Sequence, residues 1–441
     1  MAVALAMMSV DSTIVATALR AIQHELDAPI TWTGWTLTAF ALGLVLALPI
    51  AGKLSESRGR RRVFLASMAI FTGASLCCGL TTNIYVLVAL RFVQALGGAG
   101  FTPSATGIIV DYFGPGRDKA LGLFEGLFAA GAMTGPIFGG LFVTYASWRW
   151  IFWVNVPIGI ALIVLCLRVV PRDPPVPTPA AGHFDLLGLT LLGVNVLGAM
   201  LAFNALGRGL AAASTPAFIV PAVIAAAALA LFGRHTVKHP KPFIAVRFMV
   251  GRGFMGVNLI NVGGGLVEGV IALVPLYAMN RYHLSPLASG TLLTAEGAVV
   301  VVMSSTAALL LRRTGYRPPI YAGLAVTVVG VVGLALDPIH LSPWLWLATA
   351  TGIIGFGVGI TSPASRNAGL QLDPASAPTL AALRTMCFCI GSIATVSITT
   401  ALIAETAHPG LMHADANLLW AALLLLLLPA VRAVPEHRGA W

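Results

Sequence analysis

The feature that most constrains this chain is a succession of fourteen apolar runs, most of them about 20 residues long, separated by short polar gaps. Crossing the ~30 Å hydrocarbon layer takes about 20 apolar residues as helix, because only a helix or a closed barrel satisfies its own backbone hydrogen bonds in lipid. The runs lie near residues 1–19, 35–51, 63–80, 84–110, 120–143, 151–170, 186–206, 217–232, 254–277, 288–311, 320–336, 344–363, 380–404 and 417–434. A barrel would need short alternating strands, whereas these are continuous Leu, Val, Ala and Gly runs. The expected fold is therefore an all-α integral membrane protein with fourteen transmembrane helices. Composition agrees, since 58% hydrophobic and 10% charged residues leave too little polar surface to coat the soluble domains that 441 residues could otherwise form. The first run starts at Met1, has no basic lead-in and carries Asp11 at its middle, features that argue against a cleavable signal peptide. All five cysteines fall inside apolar runs, where packing or lipid contact is expected rather than thiolate chemistry.

The net charge of +10 does not imply a nucleic-acid partner, because the basic residues sit in short gaps instead of on one face of a soluble domain. Their distribution tests the span count, since Lys and Arg collect in cytoplasmic loops. Gaps after even-numbered runs, with the C-terminal tail, hold 20 of the 26, including Lys53, Arg58, Arg60, Arg61 and Arg62. The opposite gaps hold Arg20, Arg149, Arg208 and Arg281. One miscounted helix would scramble this split, so fourteen spans with both termini in the cytoplasm are expected, in a cell inner membrane.

Arg312, Arg313, Gly315 and Arg317 echo the stretch from Gly52 to Arg62, following the tenth run as that stretch follows the second. Spans 1–6 and 9–14 therefore read as two six-helix pseudo-repeat halves with two inserted helices between them. The expected divisions are an N-terminal half over 1–170, a Pro-rich linker with the inserted pair over 171–233, a cytoplasmic loop over 234–252, a C-terminal half over 253–434 and a tail over 435–441. Five prolines between Pro171 and Gly182 exclude helix from the linker.

Several motifs carry a resemblance. Gly52, Leu54, Gly59, Arg60 and Arg61 match the G-x-L-x-D-R-x-G-R-K/R pattern of motif A of the major facilitator superfamily, with Glu56 for the usual Asp and Ser57 for the usual Arg. Gly122, Gly131, Gly135, Pro136, Gly139 and Gly140 reproduce its antiporter motif C, G-x8-G-x3-G-P-x2-G-G. Arg91, Gln94 and Gly97 resemble motif B, with Ala95 where the family has Gly. Asp11 to Val15 resembles the D-x-T-I-V opening of the fourteen-span drug:proton antiporter branch, and Trp148 to Phe152 with Asn155 to Pro157 resembles its W-R-W-I-F…N-V-P segment. The resemblance runs from Asp11 to Pro157, while the second half matches by topology. It implies a cytoplasmic latch built on Gly52, Glu56, Gly59, Arg60 and Arg61, with Asp111 as partner for Arg60 or Arg61. Glycines 131, 135 and 139 make a side-chain-free seam on which another helix can lie, and Pro136 removes a backbone donor there.

Ionisable residues at bilayer depth cost at least ~2.5–3.5 kcal/mol each on insertion scales, so each is a functional candidate unless a partner excuses it. Asp11, Arg91, Glu125, Glu268, Glu296 and Arg384 qualify. The competing reading of each acid is a structural ion pair with Arg91 or Arg384. Asn258, Asn261, Gly265 and Glu268 recur along one face of the ninth run and are expected to look into a cavity. Asp11, Gln94, Asn258, Asn261, Glu268 and Glu296 are the expected cavity residues, and Asp11, Glu268, Glu296, Glu125 and Arg91 the proton-coupling set. The family places a functional Asp where Asp11 stands, which puts it first. Desolvation disfavours the charged form of a carboxylate, so such a group can exchange a proton near neutral pH. Each proton moving inward contributes roughly 2.3 kcal/mol per 100 mV, plus about 1.4 per pH unit, enough to drive a solute uphill.

The expected activity is export of lipophilic, cationic drugs or small metabolites in exchange for protons, by alternating access, with no cofactor and as a monomer. Uniport, symport and a non-transporting receptor are the alternatives on the same fold. An enzyme is not expected, since the nine histidines are placed in loops or at run ends and no phosphate-cradling Gly-Lys-Ser/Thr motif occurs. His235 and His239 have metal-ligand spacing, but solvation at the surface is the plainer reading, and no metal site is expected.

Overall fold

The computed structural model describes residues 1–28, 30–113, 116–173, 185–207, 209–239, 242, 244–338, 341–404 and 406–437. The helices run in order α1 (Ala2–Glu25), α2 (Ile30–Arg58), α3 (Arg60–Leu80), α4 (Ile84–Gly98), α5 (Phe101–Phe113), α6 (Arg117–Tyr145), α7 (Trp150–Trp153), α8 (Asn155–Val169), α9 (Leu186–Leu206), α10 (Pro216–Lys238), α11 (Arg247–Val250), α12 (Arg252–Tyr282), α13 (Pro286–Thr314), α14 (Arg317–Ala335), α15 (Pro343–Leu372), α16 (Ala377–Ala404) and α17 (Pro409–Leu425). Among the described residues, 12 helical segments are long and apolar enough to cross a bilayer, and α1, bent by 48° between Val15 and Thr17, makes 13 if its two arms form one span. The remaining run of the sequence count falls in α6, a helix of 29 residues in which the side chains of Glu125 and Pro136 lie outside the described residues.

Local chemistry sets where the helices start and break. Asn83 Oδ1 accepts from the amides of Tyr85 and Val86, and the hydroxyls of Ser285 and Ser342 accept from Ala288 and Leu345, satisfying backbone donors that a first turn leaves free. Two expected spans are interrupted. A proline ring collides with the carbonyl four residues earlier. Pro103 therefore ends α4 before Ala99, and Pro157 ends α7 at Trp153, so that Asn155 becomes the first residue of α8.

The chain divides into two compact units, residues 1–182 with 375–383, and residues 183–374 with 384–441. Within the first, α1 packs on α6, α4 on α2 and α3, and α3 on α8. Within the second, α15 packs on α13 and α14, and α14 on α17. There Gly265 and Gly269 of α12 meet the backbone of α16 at Phe388 and Ser392, so α12 lies on α16 as α1 lies on α6. The core of the first unit gathers Ile14, Ile22, Leu87, Trp148 and Phe152; that of the second gathers Val274, Tyr277, Val331, Ile354 and Trp420. In the second unit α9 also packs against α10.

The last helix corrects one reading. α17 starts at Pro409, eight residues before the apolar run, and takes His413 into the core at 1% exposure beside Tyr277, with ring centroids 4.9 Å apart. His413 and Ala414 are buried on this turn although His408, His413 and Asp415 made its sequence look like loop.

Candidate functional site

In the first unit, one buried network joins four helices. Asp11 on α1 has no exposed surface, and neither has Arg91 or Gln94, one turn apart on α4. Arg91 Nη1 donates to Asp11 Oδ2 at 2.6 Å and to Gln94 Oε1 at 2.7 Å. Asp11 Oδ1 accepts from Gln94 Nε2 and from Asn155 Nδ2, each at 3.0 Å. Both amides also donate to Ser75 Oγ on α3, at 2.9 and 3.0 Å, and Ser75 donates to the carbonyl of Phe152. Arg91 Nε also donates to the carbonyl of Thr36 at 3.4 Å, and the ring of Phe40 lies 4.1 Å from the guanidinium carbon. A carboxylate and a guanidinium removed from water in this way are held by mutual charge and by three fixed dipoles. The competing reading of Asp11, an ion pair with Arg91, is thus realised in geometry, and the pair is embedded in a wider polar network rather than isolated.

Ser75 and Asn155 were not among the expected site residues. Asn155 belonged to a quoted motif, but that its side chain reaches Asp11 depends on α8 lying beside α1. Ser75 had no signal beyond being a small polar residue in an apolar run.

The glycine seam lies against α1. A Cβ at Gly131 would stand 2.6 Å from the carbonyl of Ala6, one at Gly135 would strike the Thr13 hydroxyl and stand 3.0 Å from the carbonyl of Val10, and one at Gly139 would strike Thr17 and stand 2.9 Å from that of Ile14. Three glycines one turn apart on α6 therefore track three successive turns of the helix that carries Asp11. Gly140 does not belong to this seam: nothing lies within 4 Å of its Cβ direction, because it points about 100° from Gly139. The surroundings of Gly122 and the side chains of Glu125 and Pro136 lie outside the described residues.

Around the loop from α2 to α3, Arg60 pairs with Asp111 and donates to the carbonyl of Gly107. Arg61 instead donates to the carbonyl of Leu167 at 2.9 Å. Gly59 adopts φ +103°, and a Cβ there would strike Asp173. Asp173 accepts from the amides of Arg61 and Arg62 at 2.9 and 3.0 Å, capping α3. It is a third residue that the sequence reading passed over, because it sits in the linker 112 residues away from Arg61. Glu56, which replaces the family Asp, accepts from the amide of Thr379 at 3.1 Å in the first turn of α16, where the helix dipole favours an anion. A Cβ at Gly52 would stand 3.0 Å from the carbonyl of Pro378.

In the second unit the expected stripe is divided. Asn258 donates to the carbonyl of Phe248 in α11 at 2.9 Å; Asn261 accepts from Ser365 on α15 at 2.9 Å; Gly265 rests on the backbone of Phe388. Only Glu268 of the four is exposed. The reading of one cavity-facing line is corrected accordingly: α12 is packed on more than one side, so residues three and four apart meet different neighbours. Among the described residues neither Glu268 nor Glu296 forms an ion pair with a basic side chain. Arg384 donates to Ser362 at 2.9 Å.

Residues 1–396 match the Major Facilitator Superfamily family model, and the chain belongs to that superfamily of membrane transporters. It is 30% identical over 83% of its length to a protein named multidrug resistance protein B homolog from Mycobacterium tuberculosis, and 30% identical over 80% to one named multidrug transporter protein MdtP from Bacillus subtilis. These matches span 68% and 65% of the two relatives' lengths. The human organic anion transporter MFSD10 has the same fold, with a TM-score of 0.68 over 98% of each chain at 14% identity. The chain is a multi-pass membrane transporter of a small molecule and not an enzyme.

Proposed function

We propose that this transporter exports lipophilic, cationic drugs or metabolites in exchange for protons, with the Asp11–Arg91 network as its coupling element. The observation that carries this reading is a carboxylate with 0% exposure whose charge is balanced by a single guanidinium, both bonded to Gln94. Protonating Asp11 abolishes the charge that holds Arg91 and turns one acceptor oxygen into a donor. Gln94, Asn155 and Ser75 must then rearrange, and they lie on α4, α8 and α3, of which α3 packs on both α4 and α8. A proton on one atom is thereby converted into a change of helix packing.

Three further observations support the reading. The glycine seam lies on the turns of α1 that flank Asp11, so a shift of α1 against α6 meets no side chains on the α6 face. Glu268 and Glu296 form no ion pair among the described residues, which favours a cationic solute. The two relatives are named for multidrug resistance and multidrug transport. Within this reading the chain has fourteen spans, α6 supplying the last of them, in two six-helix halves that flank the α9–α10 pair. Both termini and the α2–α3 latch are cytoplasmic, and the membrane is the cell inner membrane. The like packing of α1 on α6 and α12 on α16 supports the two halves.

The test is transport by inside-out vesicles carrying a proton gradient. Adding a cationic dye should dissipate the gradient in wild type, and Asp11→Asn should abolish this while substrate exchange at equal pH persists. Gradient-independent equilibration by wild type would mean uniport, steepening of the gradient on adding dye would mean symport, and either would end the antiport reading.

A further inference from the structure

The inserted pair α9 and α10 carries a polar cluster that plays no part in the coupling network. Asp185 caps the start of α9, its Oδ1 accepting from the amide of Gly188 at 2.8 Å, and its side chain is 2% exposed. His235 lies in the last turn of α10, with Nε2 2.6 Å from the same Oδ1. His239 follows four residues later, so it falls on the same helix face, and its amide bonds the carbonyl of His235 at 2.8 Å, which keeps the two rings on one side. Their ring centroids are 5.0 Å apart. One ligand atom from each of Asp185, His235 and His239 can be chosen so that all three lie within 4.8 Å of one another.

A hydrogen-bonded cap needs Asp185 and at most one imidazole. The second imidazole at i+4 is what a chelate requires, and it is what the geometry adds. From these three residues we propose a site for a divalent transition metal, best suited to Zn(II), tying the start of α9 to the end of α10.

Two imidazole nitrogens and one carboxylate oxygen are a borderline donor set that favours Zn(II) over Mg(II) or Ca(II), which take oxygen ligands. Three protein ligands leave a fourth position for water, as in an open zinc site. The bond from Gly188 orients the carboxylate from behind, as outer-shell partners of metal ligands do. Buried at the junction of two helices, Asp185 is fixed before any ion arrives, so little ordering is needed on binding. The ion would close the end of the hairpin opposite the 210–214 connection.

The experiment uses the full chain in detergent without a histidine tag, stripped with a chelator and dialysed against Zn(II), with metal measured by elemental analysis. Wild type should retain about one equivalent. It should also give the d–d absorption of a four-coordinate site with Co(II), and melt at a higher temperature with Zn(II) than without. His239→Ala, which leaves the Asp185–His235 bond and the cap intact, should elute and melt like metal-free wild type yet lose the metal and the thermal shift. Asp185→Asn, which can still cap α9, should lose them as well. Wild type that retains no more Zn(II) than His239→Ala, or variants that bind as tightly as wild type, would overturn the proposal.

Discussion

Replacing Asp11 by Asn removes one charge of a buried pair and leaves the other in place. Asp11 and Arg91 are both wholly buried, 2.6 Å apart. Charges ~4 Å apart interact by about 4 kcal/mol at an effective dielectric of 20. Breaking such a pair from one side costs about 3–5 kcal/mol, because the remaining charge keeps its desolvation penalty. Asparagine cannot repair the site. With its amide nitrogen toward Arg91 two donors oppose each other, and with it turned round the nitrogen meets the amide donors of Gln94 and Asn155. The expected loss, about 3–5 kcal/mol, stays below the 5–15 kcal/mol of an ordinary fold, so the variant remains assayable for transport. Arg91→Gln should cost a similar amount, while Asp11→Asn with Arg91→Gln replaces both charges by amides and should cost clearly less than the two added together. Equilibrium unfolding in mixed micelles, followed by tryptophan fluorescence, measures all four proteins. Costs that simply add would show that Asp11 and Arg91 are not energetically coupled, and the coupling mechanism would lose its basis.

Other outcomes follow from the same geometry. Gly135→Leu should lose gradient-driven efflux and about 1–3 kcal/mol or more of stability by overpacking against Thr13 and Val10, whereas Gly140→Ala should match wild type in both efflux and melting temperature. Asp173→Ala should destabilise by about 1 kcal/mol through loss of the α3 cap, read by the same unfolding titration. Gly59→Ala should cost about 1–2 kcal/mol from its left-handed backbone, with a further penalty where the methyl meets Asp173 that vanishes in the double variant. Glu268→Gln with Glu296→Gln should weaken binding of a cationic dye by about tenfold and leave a neutral analogue unaffected, as measured by fluorescence titration; equal loss for both ligands would remove these acids from the substrate reading.

Much of the architecture was legible without coordinates because the bilayer imposes it. A run of apolar residues long enough to span has no alternative to helix, and Asp11, Arg91 and Gln94 stood out because polar groups are expensive at that depth. The seam glycines were legible for the same reason that they work: a periodic absence of side chains has one structural use. Residues whose role depends on a distant neighbour were not. Ser75 and Asn155 matter only because α3 and α8 bring them to the carboxylate of α1, Asp173 only because the linker returns to the start of α3, and Asp185 only because α9 begins where α10 ends.

Sequence alone thus determined the helices, the costly polar residues within them and the family motifs, because hydropathy and motif spacing are properties of one segment at a time. Tertiary structure alone decided which helix faces which: that the seam lies on α1, that the stripe of α12 is shared among neighbours, and that two histidines meet an aspartate 50 residues away from the nearer of them. Those choices depend on side-chain fit between segments far apart in the chain, and no periodicity within either segment encodes its partner.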